Sequence, residues 1–405
     1  MAGALDGIVV LEVANFIAGP LAGSLLADLG AEVIKVENPE GGDPFRAWDL
    51  GGDQPTFWAY NRGKKSIALN LQTPEGKEVF RKLASTADVV LENLRPGTMD
   101  RLGLGYEQLR TLNPRLIYCA VTGFGPTGPY AQRPAYDGVG QAMGGMMSLL
   151  TEADAPRPIG PAFADNLSGM FGAYGILGAL VARGRTGQGQ MVGTSLVGAI
   201  VAFNVNAATT ALAGEPPEGP TGRPRASQTY AWTASDGLPF VVHLSSPPKF
   251  WQGLTRAAGR PDLQEDPRFR TRADRRKHYD ALHDELAAVF ATQPRAYWME
   301  RLEAEEVPHS PMYNYREVFQ DPHIQHMGLE VAIPREGRST VRTVRSPVNY
   351  SDTQTPLPLP PPELGEHTDA ILARLGYDVA AIAALHAAGV VRYTPAPLPS
   401  AGARE

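Results

Sequence analysis

The sequence predicts an α/β fold with an open, mostly parallel sheet, joined to a smaller α+β domain. In the first part of the chain, short apolar runs rich in β-branched residues alternate with helix-like segments, which is the pattern of βαβ units. Segment 214–220 then brings glycines and prolines together in a cluster that breaks regular structure. Beyond it, a hairpin pattern and charged amphipathic helices indicate a second, different domain.

The predicted elements of the first domain follow from local composition. Strands are predicted over Ile8–Val13, Ala31–Glu37, Ser66–Leu71, Asp88–Glu92 and Leu116–Thr122. Thr73 and Pro74 mark a helix start, because threonine caps the first N–H groups and proline lacks an N–H that would stay unpaired there. Long helices are predicted next, over 138–150, 165–183 and 195–213.

The second domain is predicted from a hairpin and its following helices. Thr229–Ala234 and Pro239–Leu244 are joined through Asp236-Gly237, a typical tight turn. Helices are predicted around 249–258, 272–292 and 295–305, and later over His367–Leu375 and Val379–Ala388. The proline-rich run Thr355–Pro362 should be extended. The predicted layout is a large domain, a linker, a small domain, a returning linker and C-terminal helices that complete the large domain, over 1–213, 214–226, 227–327, 328–362 and 363–405.

Composition limits the class of protein. With Lys+Arg 37 against Asp+Glu 43, the net charge of -6 argues against a nucleic-acid partner. The single cysteine, Cys119, excludes an intrachain disulfide and lies in an apolar run that predicts a buried strand thiol. The N-terminus lacks the basic region of a signal peptide, and we expect no apolar stretch of about 18 residues that would make a membrane span. A cytoplasmic protein without a membrane partner is therefore expected.

Several common sites are absent from the sequence. None of the eight histidines lies in the first 242 residues, so a histidine triad or a histidine proton shuttle cannot be confined to that part. His323 and His326 lack a matching third ligand, so no metal site is predicted. Neither a dinucleotide fingerprint nor a P-loop is present. Gly123, Gly125 and Gly128 follow a predicted strand and form either a tight turn or a loop of a ligand crevice.

Charged residues supply two further candidates. Basic side chains lie near predicted strand ends, at Arg62, Lys64, Lys65, Arg95, Arg101 and Arg133. If those ends share one edge of the sheet, the charges converge on a phosphate-rich ligand; otherwise they are scattered and solvated. Asp165 lies between a proline-containing turn and a long apolar helix, a position typical of an N-cap. A carboxylate there can also act as a nucleophile, because the helix dipole favours its ionised form.

Seven segments in a fixed order match a known family. They are LDGIVVLEVANFIAGP (5–20), LGAEVIKVENPEGGD (29–43), NRGKKSIALNLQTPEG (61–76), ADVVLENLRPGTMDRLGLGYEQL (87–109), NPRLIYCAVTGFGPTGP (113–129), ADNLSGMFGAYGILGALVARGRTGQGQ (164–190) and LGEHTDAIL (364–372). Over essentially its full length the chain resembles the class III coenzyme A transferases, of the formyl-CoA and carnitine type. The resemblance implies a Rossmann-like large domain, an inserted small domain and an interlocked homodimer, with the long linkers passing around the partner.

The resemblance also implies site residues. Asp165 matches the catalytic aspartate, and Tyr136 matches an aromatic residue near the acyl site. The remaining matches are Asn15, Phe16, Ile17 and Ala18 in the loop beside the thioester, Asn93, Leu94 and Arg101 in the CoA groove, and Lys64 and Leu71 beside the adenine and phosphates. The implied partners are an acyl-CoA and a carboxylic acid, with CoA as part of the substrate and no permanently bound cofactor.

Two departures from the family narrow the function. The racemase branch carries a His-Asp pair where this chain has Tyr136-Asp137, so the usual second proton carrier is missing. The oxalate-using branch has a polar amide where this chain has Ile17 and a glycine-rich small-domain loop that 225–265 lacks, which favours a larger or less polar acid. The expected function is CoA transfer through mixed-anhydride and β-aspartyl-CoA intermediates on Asp165. The alternatives are an α-methylacyl-CoA racemase and a non-catalytic CoA-binding module.

Overall fold

The computed structural model describes residues 3–49, 53–216, 219–353 and 357–393. Parts of both predicted linkers, of the run Thr355–Pro362 and of the C-terminal segment lie outside these residues. The chain divides into two compact units. The first takes its residues from 1–146, 158–208 and 328–405, and the second from 147–157 and 209–327.

The strands and helices have the following bounds. The strands are β1 (Val9–Val13), β2 (Glu32–Glu37), β3 (Lys64–Leu69), β4 (Val89–Glu92), β5 (Ile117–Thr122), β6 (Met191–Ser195), β7 (Thr229–Thr233), β8 (Pro239–His243), β9 (His309–Pro311), β10 (Glu330–Ile333), β11 (Val341–Val344) and β12 (Val391–Arg392). The helices are α1 (Ala18–Asp28), α2 (Pro55–Asn61), α3 (Pro74–Thr86), α4 (Thr98–Leu102), α5 (Tyr106–Leu112), α6 (Asp137–Met143), α7 (Phe163–Thr186), α8 (Leu196–Phe203), α9 (Val205–Leu212), α10 (Gly222–Ser227), α11 (Pro248–Ala257), α12 (Arg272–Lys277), α13 (Tyr279–Phe290), α14 (Arg295–Ala304), α15 (Tyr315–Val318), α16 (Pro322–Met327), α17 (Thr368–Arg374) and α18 (Val379–Ala387).

The first unit is built on one central sheet, with strand order β12-β3-β2-β1-β4-β5-β6. Neighbouring strands are parallel, except that β12 runs antiparallel to β3. The predicted α/β class with a mostly parallel sheet is therefore confirmed. The sequence did not predict β6 and β12. The half-buried or exposed residues of β6 form no apolar run, and β12 has only two residues, too few to show any alternation.

Alternate residues of β1 face opposite sides of the sheet, as the pleat requires. Leu11 and Val13 pack in one buried apolar cluster with residues of α3 and α17, whereas Val10 packs in another with residues of α1 and α7. Both faces of the sheet are thus covered by helices. This explains why its strands read as continuous apolar runs in the sequence.

Three predicted helices are interrupted in the structure. The helix predicted over 138–150 ends as α6 at Met143, and a short 3-10 helix (Met147–Leu149) follows Gly145, whose φ is 85°. The helix predicted over 195–213 is divided at Asn204, whose backbone (φ -86°, ψ 37°) leaves helical geometry between α8 and α9. The helix predicted over 272–292 is divided at His278, with φ -105° and ψ 36°. Thr271 and Asp274 form a capping box that starts α12. Apolar periodicity continues across such interruptions, so periodicity alone did not reveal them.

Helix α7 requires a correction to the expectation about membrane spans. By length and composition it is apolar enough to cross a membrane, with a mean hydropathy of 1.2 over an 18-residue window. In this structure Ala173, Ile176 and Ala179 of α7 pack in the apolar cluster that also holds residues of α1 and β5. Length and composition alone are weak evidence for a membrane span, because helices packed in globular units can share them; 39% of this window is buried in the structure.

The second unit contains the three-stranded antiparallel sheet β7-β8-β9. The predicted hairpin through Asp236-Gly237 is confirmed, since β7 pairs with β8 and Gly237 takes the positive φ of 78° that suits glycine in such a turn. Aromatic residues dominate its core, where Trp232, Phe240 and Phe290 are almost fully buried. The ring of Phe290 packs edge-on against Trp298 at 4.9 Å.

Candidate active site

A cavity of about 280 Å³ lies at the carboxyl ends of β1, β4 and β5. The strand order reverses there: the chain builds β2 and β3 on one side of β1 and then places β4 on the other. In open parallel sheets, ligands bind in the crevice at this kind of reversal. The cavity is lined by Asn15, Phe16, Ile17, Ala18, Asn93, Leu94, Arg95, Pro96, Val121, Thr122, Gly123, Ala131, Arg133, Pro134, Ala135, Tyr136, Asp165 and Leu196.

Most of the predicted site residues lie in this wall. The wall includes the 15–18 loop, Asn93, Leu94, Tyr136 and Asp165. Residues separated by up to 150 positions in the sequence thus meet around one space. Three predicted residues, Lys64, Leu71 and Arg101, do not line it.

Lys64 is removed from any ligand by burial. Its side chain is fully buried, and Nζ lies 2.7 Å from Oε2 of Glu12 and donates to the Pro20 carbonyl at 2.8 Å. Burial lowers the pKa of this ammonium group to about 7, in spite of the nearby Glu12 carboxylate. The arrangement does not support the predicted contact with CoA phosphates. It gives Lys64 a structural role instead.

Leu71 and Arg101 lie outside the cavity for different reasons. Leu71 packs against the apolar cluster that contains residues of α3 and α17. Arg101 is exposed on α4, where Nη2 donates to Oγ1 of Thr98 at 2.9 Å. The basic residues that do line the cavity are Arg95 and Arg133, both exposed. The Arg133 guanidinium lies 3.8 Å from the centre of the Tyr130 ring.

The loops after β1 and β4 are joined by a reciprocal pair of hydrogen bonds. The backbone N–H of Asn15 donates to Oδ1 of Asn93 at 2.9 Å, and Nδ2 of Asn93 donates to the Asn15 carbonyl at 2.8 Å. Glu92 then holds the next residue, because its Oε2 accepts the N–H of Leu94 at 2.7 Å. Together these contacts fix the cavity wall on both sides of the strand-order reversal.

Phe16 has an unusual backbone in this wall. Its φ of 64° is in the left-handed region, which a residue with a side chain rarely adopts. Its N–H donates to Oδ1 of Asp43 at 3.1 Å. Its ring packs edge-on against Phe45 at 5.3 Å and Tyr136 at 6.2 Å. The strained backbone therefore places the Phe16 ring against Phe45 and against Tyr136, which also lines the cavity.

Helix α1 begins at the same loop. Its N-cap is Ile17, a hydrocarbon that offers the helix no side-chain hydrogen bond. The first N–H groups of a helix have no partner within the helix. Because Ile17 and Ala18 line the cavity, this helix N-terminus lies in its wall, where it can stabilise an oxygen that gains negative charge.

Asp165 lies in the first turn of α7, but it is not the N-cap that its sequence position suggested. The N-cap is Ala162, which makes no side-chain capping bond. The capping oxygen comes from Asp137 at the start of α6, whose Oδ1 accepts the N–H of Ala164 at 2.8 Å and that of Asp165 at 3.3 Å. The Asp165 carboxylate is thereby left free of a capping role.

The protonation of Asp165 differs from the expectation of a permanently ionised group. Burial, and then the negative charge of Asp137, raise the pKa of Asp165 to about 7. Both causes disfavour the charged form of the carboxyl group, whereas the helix dipole alone would favour it. Gln141 holds Asp137 in place, because its Nε2 donates to Oδ2 of Asp137 at 2.6 Å and to the Pro161 carbonyl at 3.1 Å. Asp137 and Gln141 are thus site residues that sequence reasoning did not assign.

Glycines allow the elements around the cavity to approach closely. A Cβ at Gly123 would lie 2.4 Å from Cβ of Ala135, so only glycine fits between these two parts of the wall. This places the glycine-containing loop after β5 at the crevice. Gly144 instead serves helix packing, since a Cβ there would lie 2.4 Å from Cγ2 of Ile200.

Among the residues that the structure describes, no three His, Cys, Asp or Glu side chains gather as a metal site would require.

Comparison with known proteins gives consistent results. The model of CoA-transferase family III matches residues 5–368. The chain is 37% identical over 383 residues to the succinate–glutarate CoA-transferase of Agrobacterium fabrum, covering 92% of this chain and 95% of that protein. It is 38% identical over 321 residues to the acetyl-CoA:oxalate CoA-transferase of Acetobacter aceti, covering 78% and 82%.

A solved structure shows the same fold. The CAIB/BAIF family protein from Brucella suis superposes with a TM-score of 0.83 at 37% identity, covering 93% of this chain and 100% of that one. The resemblance seen in the sequence is therefore confirmed by the family model, by curated relatives and by structure. The chain belongs to CoA-transferase family III.

Proposed function

We propose that this protein transfers CoA from an acyl-CoA donor to a carboxylic acid, with Asp165 as the covalent nucleophile. The observation that carries the proposal is the position of Asp165 at the strand-order reversal, in the wall of the same cavity that the N-terminus of α1 lines. The family membership supports CoA transfer in general. The CoA thioester enters as a substrate, and we propose no permanently bound cofactor and a cytoplasmic location.

The first half-reaction exchanges the donor acid for CoA on the enzyme. The Asp165 carboxylate attacks the thioester carbonyl, and the C–S bond breaks to give a mixed anhydride and CoA thiolate. The thiolate then attacks the aspartyl carbonyl of the anhydride. This step forms the β-aspartyl-CoA thioester and releases the donor acid as its carboxylate.

The second half-reaction repeats these steps with the acceptor. The acceptor carboxylate attacks the aspartyl thioester and expels CoA thiolate, which gives a second mixed anhydride. The thiolate attacks the acceptor carbonyl of this anhydride, so the new acyl-CoA forms and Asp165 returns as a carboxylate. Each tetrahedral intermediate carries an oxyanion, for which we propose the backbone N–H groups at the start of α1.

The acceptor is proposed to be larger or less polar than oxalate. Ile17 contributes a hydrocarbon side chain to the cavity, and the Phe16 and Leu196 side chains add apolar surface. The Arg95 and Arg133 side chains give the same space a positive rim, which suits the phosphates of CoA. A dicarboxylate of intermediate length fits this combination, and one relative is named as a succinate–glutarate CoA-transferase.

We also propose that the protein is an interlocked homodimer, as the family resemblance implies. Met170, Tyr174 and Val181 recur at helical spacing along α7, and they are 54%, 74% and 64% exposed. A second copy of the chain is the proposed cover for this apolar stripe. If the subunits are linked, two differently tagged dimers mixed after purification should exchange subunits only after unfolding. Rapid exchange under native conditions would rule out the interlocked form.

The transfer proposal is tested with purified protein and a panel of acids. Succinyl-CoA is incubated with glutarate, oxalate, medium-chain monocarboxylates or no acceptor, and new acyl-CoA is followed by mass spectrometry. Turnover with at least one added acid, and its loss in Asp165→Ala, supports the proposal. Binding of CoA without transfer to any acid of the panel would favour a CoA-binding module instead.

A further inference from the structure

Four charged side chains form a buried network beneath the cavity. They are Glu12 on β1, Lys35 on β2, Lys64 on β3, and Asp43 just before a short 3-10 helix (Pro44–Ala47), and all four are fully buried. Nζ of Lys35 lies 3.0 Å from Oε1 of Glu12 and 2.9 Å from Oδ2 of Asp43. The network thus places two carboxyl groups against two amino groups, with none of the four side chains exposed to solvent.

The fold leaves space for this network in a specific way. Glu12 faces α1, where a Cβ on Gly23 would lie only 1.9 Å from Oε2 of Glu12. Any side chain at position 23 would therefore displace the Glu12 carboxylate. Burial alone lowers the pKa of Lys35, but the negative charges of Glu12 and Asp43 raise it above its ordinary value. Lys35 therefore stays charged.

The network is joined to the cavity wall through the loop after β1. Nζ of Lys35 donates to the Ala14 carbonyl at 2.7 Å. Oδ1 of Asp43 accepts the N–H of Phe16 at 3.1 Å and that of Phe45 at 3.0 Å. One oxygen of Asp43 thus holds the backbone of two aromatic residues whose rings pack together, while the other oxygen is paired with Lys35.

This connection explains how Phe16 keeps a left-handed backbone. A non-glycine residue at φ 64° persists only where the surroundings fix it, and such strain concentrates at functional sites. Here Oδ1 of Asp43 accepts the N–H of Phe16. The side chain of Asn93 forms hydrogen bonds with both the N–H and the carbonyl of the preceding residue, Asn15. The hydrogen bonds of Asn93 act one residue away, whereas Asp43 accepts a hydrogen bond from the backbone of Phe16 itself.

We propose that Asp43 is a positioning residue for CoA transfer, which couples the buried Lys35–Glu12 pair to the strained backbone of Phe16 and so places the N-terminus of α1 at the thioester. The inference rests on the proposed function, because the loop matters only if the thioester binds there. Asp43 itself is fully buried and is not among the residues that line the cavity. Its contribution therefore appears in kcat more than in the affinity for CoA.

The first test compares Asp43→Asn with a matched control. The amide of Asn keeps an oxygen for Phe16 and Phe45 but removes the charge that holds Lys35. We expect kcat with succinyl-CoA to fall about tenfold, with KM nearly unchanged. The control is Asp378→Asn, since Asp378 caps α18 in the same unit by accepting the N–H of Ala381 at 2.8 Å, away from the cavity. This control should leave kcat unchanged. Equal kcat in the two variants would overturn the proposal.

A double-mutant cycle separates positioning from general stability. Glycine adopts a positive φ without the cost that phenylalanine has. Asp43→Asn should therefore lower kcat only about twofold in a Phe16→Gly background, compared with about tenfold in the parent chain. An identical loss in both backgrounds would show that Asp43 supports only the stability of the fold.

If Asp43→Asn does not fold, the charge-balanced double variant Lys35→Met with Asp43→Asn replaces it. Removing both members of a buried ion pair is far less destabilising than removing one. The same loss of kcat is expected from this variant. Unchanged kcat in it would equally contradict the proposal.

Hydrogen exchange distinguishes a failure of this inference from a failure of the proposed function. In Asp43→Asn, amide exchange over residues 14–18 should rise about tenfold, whereas exchange in α18 should not change. Faster exchange together with an inactive parent protein would mean that transfer is the wrong function but that Asp43 does hold the loop. An active parent whose loop exchange and kcat are insensitive to Asp43→Asn would reject the positioning role alone.

Discussion

Asp137 and Asp165 lie on different helices, yet Oδ1 of Asp137 accepts the backbone N–H of Asp165 at 3.3 Å. One carboxylate thus caps the helix that carries the other. The same proximity places a second negative charge near the proposed nucleophile, which adds to the effect of burial and raises the pKa of Asp165 to about 7. Asp137 therefore acts on both the backbone position and the protonation of Asp165, and its effect on protonation adds to the larger effect of burial.

The first prediction concerns the pH dependence of transfer. Only ionised Asp165 attacks a thioester, so kcat/KM should rise with pH and level off above about 7. Asp137→Asn removes the nearby charge while its amide oxygen still accepts the N–H of Ala164. We expect the inflection to move down by about one pH unit. The measurement is kcat/KM from about pH 5 to about pH 9, with Asp378→Asn as the control. An inflection that stays in place would show that Asp137 does not influence Asp165.

The second prediction concerns stability at the same residue. Because the pKa of Asp165 is raised on folding, the unfolded chain loses this proton at lower pH, and stability falls as pH rises toward and through about 7. Asp165→Ala removes that effect. The melting temperature of Asp165→Ala relative to that of the parent should therefore rise between about pH 4 and about pH 7. Thermal unfolding followed by circular dichroism measures both melting temperatures over this range, and a difference that does not grow with pH would contradict the assignment of a buried, destabilising carboxylate.

The third prediction concerns the basic rim of the cavity. Arg133→Gln and Arg95→Gln should each raise KM about fivefold for every CoA thioester alike, with little change in kcat, because they remove binding that is uniform along the reaction. Arg101→Gln should act in the same direction but more weakly, since Arg101 does not line the cavity. Steady-state kinetics with two different acyl-CoAs checks this. An effect confined to one acyl group would place the arginine beside the acyl chain instead.

The fourth prediction concerns the space that Gly23 leaves for the buried network. Gly23→Ala places a methyl group on the Glu12 carboxylate and should lower the free energy of unfolding by about 1–3 kcal/mol. Gly184→Ala on α7 is the matched control, because a Cβ there has open space and alanine favours a helix. Urea denaturation of both variants is the measurement. Equal stability of the two would show that Glu12 can move without cost.

The fifth prediction distinguishes CoA transfer from the racemase alternative. Inversion at the α-carbon needs a base on one face and an acid on the other. Tyr136 stands where the racemase branch carries a histidine, so that second proton carrier is missing beside Asp165. A chiral 2-methylacyl-CoA incubated with the protein in D2O should therefore keep its optical activity and gain no α-deuterium. Rapid deuteration without transfer to any added acid would reverse this conclusion.

The sequence predicted the features that depend on local pattern. The βαβ alternation indicated the parallel sheet, and the turn before a long apolar helix drew attention to Asp165. The family resemblance then indicated the 15–18 loop, Asn93 and Tyr136, and the structure brings these residues to one cavity. Where a residue type and its immediate neighbours determine the outcome, sequence reasoning was sufficient.

The features that were missed depend on contacts between distant segments. Lys64 resembles a phosphate ligand near a strand end, but its side chain is on the face of the sheet that meets Glu12, two strands away. Asp137 caps a helix that begins 26 residues later, and no local motif announces such a cap. The strand order determines which charges are buried together, and it could not be read from the sequence.

The central claim is that Asp165 exchanges its carboxylate oxygen with the substrates, and isotope transfer tests it most directly. The acceptor acid is labelled with 18O in its carboxylate. One of its labelled oxygens attacks the aspartyl thioester and becomes the bridging oxygen of the second mixed anhydride. When CoA attacks the acceptor carbonyl, the bridging oxygen stays on Asp165. After turnover with succinyl-CoA, mass spectrometry of the peptide containing Asp165 should show an added 18O, with none on the peptide containing Asp137. Turnover that leaves the Asp165 carboxylate unlabelled would contradict the covalent mechanism.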